Sequence, residues 1–482
     1  MIEVLRVILC LVLPAITGAL LISCCWRGSG WHYRFALIGM AFQVGMVGVI
    51  CGYVLLDRSG VGLSFGWNLT LQLGLAAMLA CVAAWRWRQS NSGTELHSFP
   101  VSGWGELSPG LRLVVIAVVA WLVLRLLGIL LEVLVRPLYP WDAWYAYGMQ
   151  AKAWFYYPEL GAIKNGWPWF ASIDPALTAG GTRHPPGIGL MQLWMLQSFG
   201  RYDDALMNLP WPLAMASIGL ALFGILRIIG VGLLFSLGAV TVLMTLPVVN
   251  TQAVLAGYGD LWIGLYLLLA LSGFVLARRH GYGCYGITLV GIAGMLSIKE
   301  TAWLWAPVLA AGILASYVRL RWLFLTGLIG VAGFIAFLWW RDEPMRVSTL
   351  GRLGFADGDW VFPSKIGLQV SQEVTMWPAL LQHLFVYDNW HLFWYLVPIF
   401  SIMALWYARM DRALLSVVIT ALGGLAVLIG FFAFSSMGEA VISGTSVNRL
   451  LLHLVPAFVL MAAMVSTLWT RVSTKLQRSH EA

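Results

Sequence analysis

Charge is what this sequence has least of. Only 10% of its 482 residues are Asp, Glu, Lys or Arg, against about a quarter in soluble globular proteins. Cysteine is scarce as well. The cysteines Cys10, Cys24, Cys25, Cys51, Cys81 and Cys284 all fall inside apolar runs or at their ends. That excludes a disulfide framework in the polar segments and leaves no metal-ligand spacing. The adjacent Cys24 and Cys25 read as filler at a membrane end rather than as a redox site. No GxxxxGK phosphate loop and no Ser-His-Asp pattern is present. There is no low-complexity tract, no convincing short repeat and no stretch that reads as a soluble domain. The net charge of +8 forms no basic stripe interleaved with aromatics, so no nucleic-acid partner is expected.

What is there instead is hydrocarbon: 60% of the residues are hydrophobic. Apolar runs of about 20 residues recur, each long enough to cross roughly 30 Å of lipid as a helix. Backbone groups in lipid must be satisfied within the segment, so these runs are helices. The expected fold is an all-α polytopic membrane protein with about thirteen transmembrane helices and two long extracytoplasmic loops. The spans are expected near 3–25, 35–56, 67–84, 112–135, 205–229, 231–249, 260–277, 283–298, 301–318, 322–340, 390–408, 413–434 and 450–469. The first run lacks a clear small-residue cleavage site and is read as a retained span rather than a signal peptide.

Arginine and lysine in the short connections set the orientation. With the N-terminus outside, the inner connections hold Arg27, Arg34, Arg86, Arg88, Arg112, Arg227, Arg278, Arg279, Arg319, Arg321, Arg409, Arg412, Arg471, Lys475 and Arg478. Against them stand only Glu95, Glu106, Asp411 and Glu481. This arrangement puts residues 136–204 and 341–389 outside and the C-terminus inside. Both long segments are rich in Trp, Pro and Gly, as expected of chain lying at the headgroup level, and long ordered loops are usually functional.

Five stretches can carry chemistry. In YPWDAWYAYGMQAKAWF, residues 139–155, Asp142 follows a membrane exit directly and sits among aromatics. It reads either as a helix N-cap or as a general base in an interfacial cleft. Helical spacing puts Asp142, Tyr145 and Met149 on one face. In GGTRHPPGIGL, Arg183 and His184 precede a proline pair that starts a helix near Pro186. They are either solvated flanks or phosphate and hydroxyl ligands. The helix is too short to cross and is read as interfacial or re-entrant. In AGYGDLWIGL, Asp260 stands at a span boundary, as a cap or a ligand. In SIKETAWLWAP, Lys299 and Glu300 lie between two apolar runs with almost no loop; a cavity role is favoured over mutual pairing. In SGTSVNRLLLHLVP, Arg449 opens the last span and His453 lies one turn deeper. They suggest a shared polar pocket, although Arg449 also fits snorkelling to headgroups. Within the fourth span, Arg125 and Glu132 share a face and read as partners within the bundle. A weaker stretch is ADGDW, whose Asp357 and Asp359 suit a divalent cation but are also common in loops.

Taken in order, these stretches resemble the multi-spanning glycosyltransferases of the GT-C fold, especially the protein mannosyltransferase and lipid A aminoarabinose transferase branch. The resemblance runs from about Arg125 to the C-terminus. It implies a core of residues 112–482 preceded by extra N-terminal helices in 1–111. It also implies a polyprenyl-phosphate sugar donor, an extracytoplasmic site and inversion at the anomeric carbon. Asp142 would be the base. Lys299 and Arg449 would hold the donor phosphate, and Arg183, His184, Asp260, Glu300 and His453 would complete substrate binding. Expected partners are the sugar donor, membrane lipids and a glycan, lipid or protein acceptor, in a multi-pass protein of the cell membrane, the bacterial inner one on this resemblance. The rival classes are a lipid or solute transporter, which usually shows internal repeats, and a non-catalytic polysaccharide assembly factor.

Overall fold

The computed structural model describes residues 2–89, 103–163, 184–341, 343–347, 351–356, 359–361, 376–435 and 437–481. Every apolar run named above is helical, but length divides them. Among the described residues, nine helical segments are long and apolar enough to cross a membrane, and a tenth is added if one bent pair counts as a single span. The helices Ala302–Ala315 and Phe393–Tyr407 and the segment Tyr282–Ile298 are shorter. A helix of 14 residues extends only about 21 Å. Among the described residues, nine or ten of the thirteen expected spans thus have full length, and three are shorter apolar helices.

The chain divides into two compact units, residues 1–303 with 455–482, and residues 304–454. The first unit contains α1 (Ile2–Cys25), α2 (Gly30–Arg58), α3 (Phe65–Gln89), α4 (Pro109–Val135), α5 (Met149–Tyr156), α6 (Gly187–Phe199), α7 (Pro210–Ile228), α8 (Leu233–Thr245), α9 (Pro247–Val254), α10 (Asp260–His280) and α11 (Tyr285–Ile298). Its central axis is α10, buried along its full apolar window. The N-terminal helices are built into this bundle: Trp194 Nε1 donates to the Cys10 carbonyl at 2.8 Å, and Tyr266 Oη to the Gln43 carbonyl at 3.2 Å.

Local chemistry sets the helix ends. Ser108 caps α4, accepting from Leu111 N–H at 3.4 Å, and Pro109 follows at the first position, where a missing N–H is harmless. Helix α10 ends on Arg278, Arg279 and His280 before Gly281, so its cations face the negative end of the helix dipole. Helices α8 and α9 are bent by 58°, because Pro247 opens α9 and has no N–H to continue the ladder. Asn250 Nδ2 satisfies the freed carbonyls of Met244 and Leu246, at 2.8 and 2.9 Å. Its Oδ1 accepts from Arg125 at 2.8 Å, while Glu132 pairs with Arg136. Arg125 thus joins two helices of the bundle, whereas Glu132 pairs along its own helix end.

The first unit has two distinct ends. At one, Arg86 donates to the Cys24 carbonyl, Arg27 to the Arg86 carbonyl at 2.6 Å, and Arg279 to the Ile229 carbonyl at 2.9 Å. Trp26 lies 6.5 Å from the His280 ring, which brings these helix ends together. The opposite end carries the stretch 139–156, the start of α10 and the end of α11.

The second unit holds α12 (Ala302–Ala315, from Leu304 on), α13 (Leu320–Arg341), α14 (Met376–Leu381), α15 (Phe393–Tyr407), α16 (Arg412–Val418), α17 (Gly424–Ala433), α18 (Gly438–Ile442) and the start of α19 (Val447–Glu481). It also contains a small antiparallel sheet, β1 (Met345–Val347), β2 (Gly351–Ala356) and β3 (Asp359–Val361). Met345 pairs with Leu353, and Gly354 with Val361. The sheet falls in the segment 341–389, where a long loop was expected.

Candidate functional site

Trp144 N–H bonds the Pro140 carbonyl at 2.8 Å, so the helix begins directly after the proline. Ala143–Gly148 then forms a π turn that runs into α5. Met149 N–H reaches the Trp144 carbonyl, five residues back. This changes which residues share a face. In an α-helix, residues five apart point about 140° from one another. Five-residue hydrogen bonding turns them toward a common side, and such turns are frequent at functional sites. The expected face of Asp142, Tyr145 and Met149 is split: Tyr145 is exposed, Met149 half-buried and Tyr147 buried.

Asp142 is half-buried, in the first helical turn, where a carboxylate gains from the helix dipole. Its side chain makes no capping hydrogen bond to the turn. Around it, Trp141, Trp144 and Tyr145 form an exposed aromatic cluster, with Trp141 and Tyr145 stacked at 5.5 Å and 22°.

Tyr147 connects this turn to the second stretch. Its ring stacks on His184, with centroids 5.3 Å apart and planes at 30°. His184 Nδ1 bonds the Glu300 carboxylate. A carboxylate only accepts, so Nδ1 carries the proton and Nε2 is the ring atom left to face elsewhere. The partner of Lys299 is different: its ammonium donates to Asp260 Oδ1 at 2.7 Å, and the side chains are 12% and 0% exposed. Lys299 and Glu300 therefore do not pair with each other. Each of these neighbours pairs with a residue from a different segment.

The backbone permits the convergence at two glycines. A Cβ on Gly187, at the start of α6, would sit 2.4 Å from the Ser297 carbonyl oxygen. Gly257 has φ +100, and a Cβ there would meet Ala143 Cβ at 2.8 Å. Only glycine allows α6, the turn before α10 and the π turn to approach so closely. Helix α6 is buried on nearly all sides, so it inserts into the bundle and does not lie on a surface. Asp260 occupies the first turn of α10 and is stabilised there by both the helix dipole and Lys299.

Four of the five stretches thus meet at one end of the first unit through Asp142, Tyr147, His184, Asp260, Lys299 and Glu300. Arg183 and Asp357 lie outside the described residues, and Asp359 falls in β3. Arg449 and His453 belong to the second unit, in α19. Arg449 is half-buried in the first turn. His453 is fully buried and its Nδ1 accepts from Trp305 Nε1 at 2.9 Å, which puts its proton on Nε2. The indole bond accounts for much of what the shared-pocket reading of His453 was meant to explain. Among the described residues, no group of three or more His, Cys, Asp or Glu could hold a metal ion.

Two elements escaped the sequence reading. Tyr147 is one, because π spacing has no signature in apolar periodicity. The other is a chain of bonds in the second unit. Trp390 Nε1 donates to Asn448 Oδ1 at 2.9 Å, Asn448 Nδ2 to His383 Nδ1 at 3.3 Å, and His383 Nε2 to the Val441 carbonyl at 3.1 Å. Burial pushes the His383 imidazole below its usual pKa, in keeping with a neutral ring that donates through one nitrogen and accepts through the other. The network fixes Asn448, next to Arg449. The chain matches no known family model, no curated protein and no solved structure.

Proposed function

We propose that this chain is a membrane glycosyltransferase that moves a sugar from a polyprenyl-phosphate donor to an acceptor on the extracytoplasmic side. The acceptor is a surface glycolipid, a polysaccharide or a protein. The observation that carries the reading is the meeting of the stretches around Asp142, His184, Asp260 and Lys299–Glu300 at one end of a membrane bundle. They are distant in sequence and have no common structural need for such polar chemistry in an apolar chain.

In this reading Asp142 takes the proton from the acceptor hydroxyl or amine as that atom attacks the anomeric carbon. The carbon–oxygen bond to phosphate breaks with its electron pair going to the phosphate, and the configuration inverts. Lys299 binds that phosphate. An ammonium has three donors, so Lys299 can serve Asp260 and a phosphate oxygen together. Arg183 and His184 complete substrate binding, with His184 oriented by Glu300. The aromatic cluster beside Asp142 suits the headgroup layer, and the short helices α11, α12 and α15 would count as spans among thirteen in the whole chain.

A buried ion pair between helices also suits a transport pathway, so a flippase is the second reading. The test uses the purified chain in proteoliposomes with a panel of radiolabelled polyprenyl-phosphate sugars. Release of polyprenyl phosphate with sugar transfer supports the enzyme. Movement of intact donor across the bilayer without release supports the transporter and overturns the enzyme. Sidedness is tested separately, by labelling Ser172→Cys and Ser479→Cys variants in intact cells with an impermeant thiol reagent. Labelling at 172 and protection at 479 is expected; the reverse pattern inverts the topology.

A further inference from the structure

The arginine end of the first unit contains a cavity of about 270 Å³ between α1, α2 and α11. Its lining is almost purely apolar, from Leu21, Ile22 and Cys25 on α1, Val44 on α2, and Gly286 and Val290 on α11. An apolar space of this size among membrane helices suits hydrocarbon. The surroundings define what the hydrocarbon is attached to. Arg27 follows Cys25 by two residues, and Arg86 of α3 reaches the Cys24 carbonyl. Arg278 stands exposed in the last turn of α10, just before the turn that leads to Gly286. A guanidinium has five donors, so Arg27 and Arg86 can hold their carbonyls and still bind an anion. Trp85, Trp87 and Tyr282 are 60%, 80% and 83% exposed at this end. They mark a headgroup layer.

We infer that this cavity is a specific site for an anionic phospholipid, with an acyl chain between α1, α2 and α11 and its phosphate among Arg27, Arg86 and Arg278. Cations beside an interhelical gap are the arrangement that recognises acidic headgroups, and a zwitterionic lipid would gain the acyl contact without the net charge. The site lies at the end opposite Asp142 and does not depend on the proposed chemistry there.

The test is native mass spectrometry of the full chain with phosphatidylglycerol and phosphatidylcholine of identical acyl chains. The wild type should retain about one phosphatidylglycerol in preference to phosphatidylcholine, by roughly tenfold or more. Val290→Phe should fill the cavity and abolish that retention. Arg86→Gln combined with Arg278→Gln should abolish the preference between headgroups while leaving weak binding of both. A second measurement needs no variant: site-resolved alkylation of Cys25 should be slower in phosphatidylglycerol nanodiscs than in phosphatidylcholine nanodiscs. Equal retention of the two lipids with equal Cys25 alkylation would overturn the site. So would displacement of phosphatidylglycerol by polyprenyl phosphate at equal concentration, because the cavity would then belong to an isoprenoid chain.

Discussion

At the arginine end of the first unit, guanidinium groups bond to backbone: Arg86 to Cys24, Arg27 to Arg86, Arg279 to Ile229. Each carbonyl belongs to a helix C-terminal region, where acceptors lack intrahelical partners and the dipole favours a cation. At the opposite end, charged side chains bond to one another, Lys299 to Asp260 and Glu300 to His184. The backbone needs neither of these pairs. A cation on a helix end can be exchanged for another donor with little loss, whereas a buried pair depends on both members. The comparison separates charge that finishes helices from charge that has been placed, and the proposed chemistry lies with the second kind.

The sharpest way to break this contrast is Lys299→Met. Asp260 is 0% exposed and Lys299 12%, so removing the ammonium leaves a buried carboxylate without this cation. Losing one member of such a pair costs about 3–5 kcal/mol, and the melting temperature in detergent should fall steeply. The double variant Asp260→Asn, Lys299→Met removes both charges and should recover most of the stability without recovering transfer. A single variant that melts like the wild type would place Lys299 among the dispensable cations.

Next in size is Asp142→Asn. Asparagine and aspartate cap helices about equally well and are alike in size, so stability should hardly move. Transfer should fall by roughly 10²-fold or more if Asp142 is the base. Near-normal transfer by the Asn variant would remove the catalytic assignment and leave the charge at this end a structural matter.

Much of this was legible in the sequence, and what was not has physical causes. Apolar runs disclosed the helices, since lipid leaves the backbone no alternative. They did not disclose helix length where a proline or a polar turn intervened, as at Pro247 and at Lys299–Glu300. The candidate stretches were visible because charge is conspicuous in an apolar chain. Their pairing was not, because Lys299 and Glu300 are adjacent in sequence yet bond in different directions. The face of Asp142 was misread because a 3.6-residue period was applied across a π turn, and Tyr147 was overlooked for that reason. The small sheet at 345–361 was missed because its strands are short; β1 and β3 have three residues each.

His184 and Glu300 give an intermediate effect. Their side chains are 14% and 24% exposed, so each single loss is milder than at Lys299. If Glu300 acts only by orienting the imidazole, Glu300→Gln and His184→Gln should be non-additive in transfer rate. Coupling between contacting residues is typically about 0.5–3 kcal/mol. Glu300→Asp keeps the charge but withdraws it by one methylene and should lie between Gln and the wild type. Additive losses across the double-variant cycle would show that the two side chains act on separate parts of the substrate.

The smallest effect is expected at the other end. Arg279 donates to the Ile229 carbonyl at 2.9 Å and is half-buried, so water can replace much of the bond. A cation at a helix C-terminus contributes about 0.3–1 kcal/mol at low ionic strength, and glutamine retains an N–H donor. Arg279→Gln should therefore shift the melting temperature only slightly, and the shift should shrink as salt is raised, because exposed charge is screened. Lys299→Met should keep its effect at the same salt, since buried pairs are screened far less. Measured side by side over a salt series, the two variants test the contrast between the ends directly. A salt-resistant loss at Arg279 as large as that at Lys299 would mean that the arginine end depends on its charges no less than the candidate site does, and the distinction drawn from their partners would not stand.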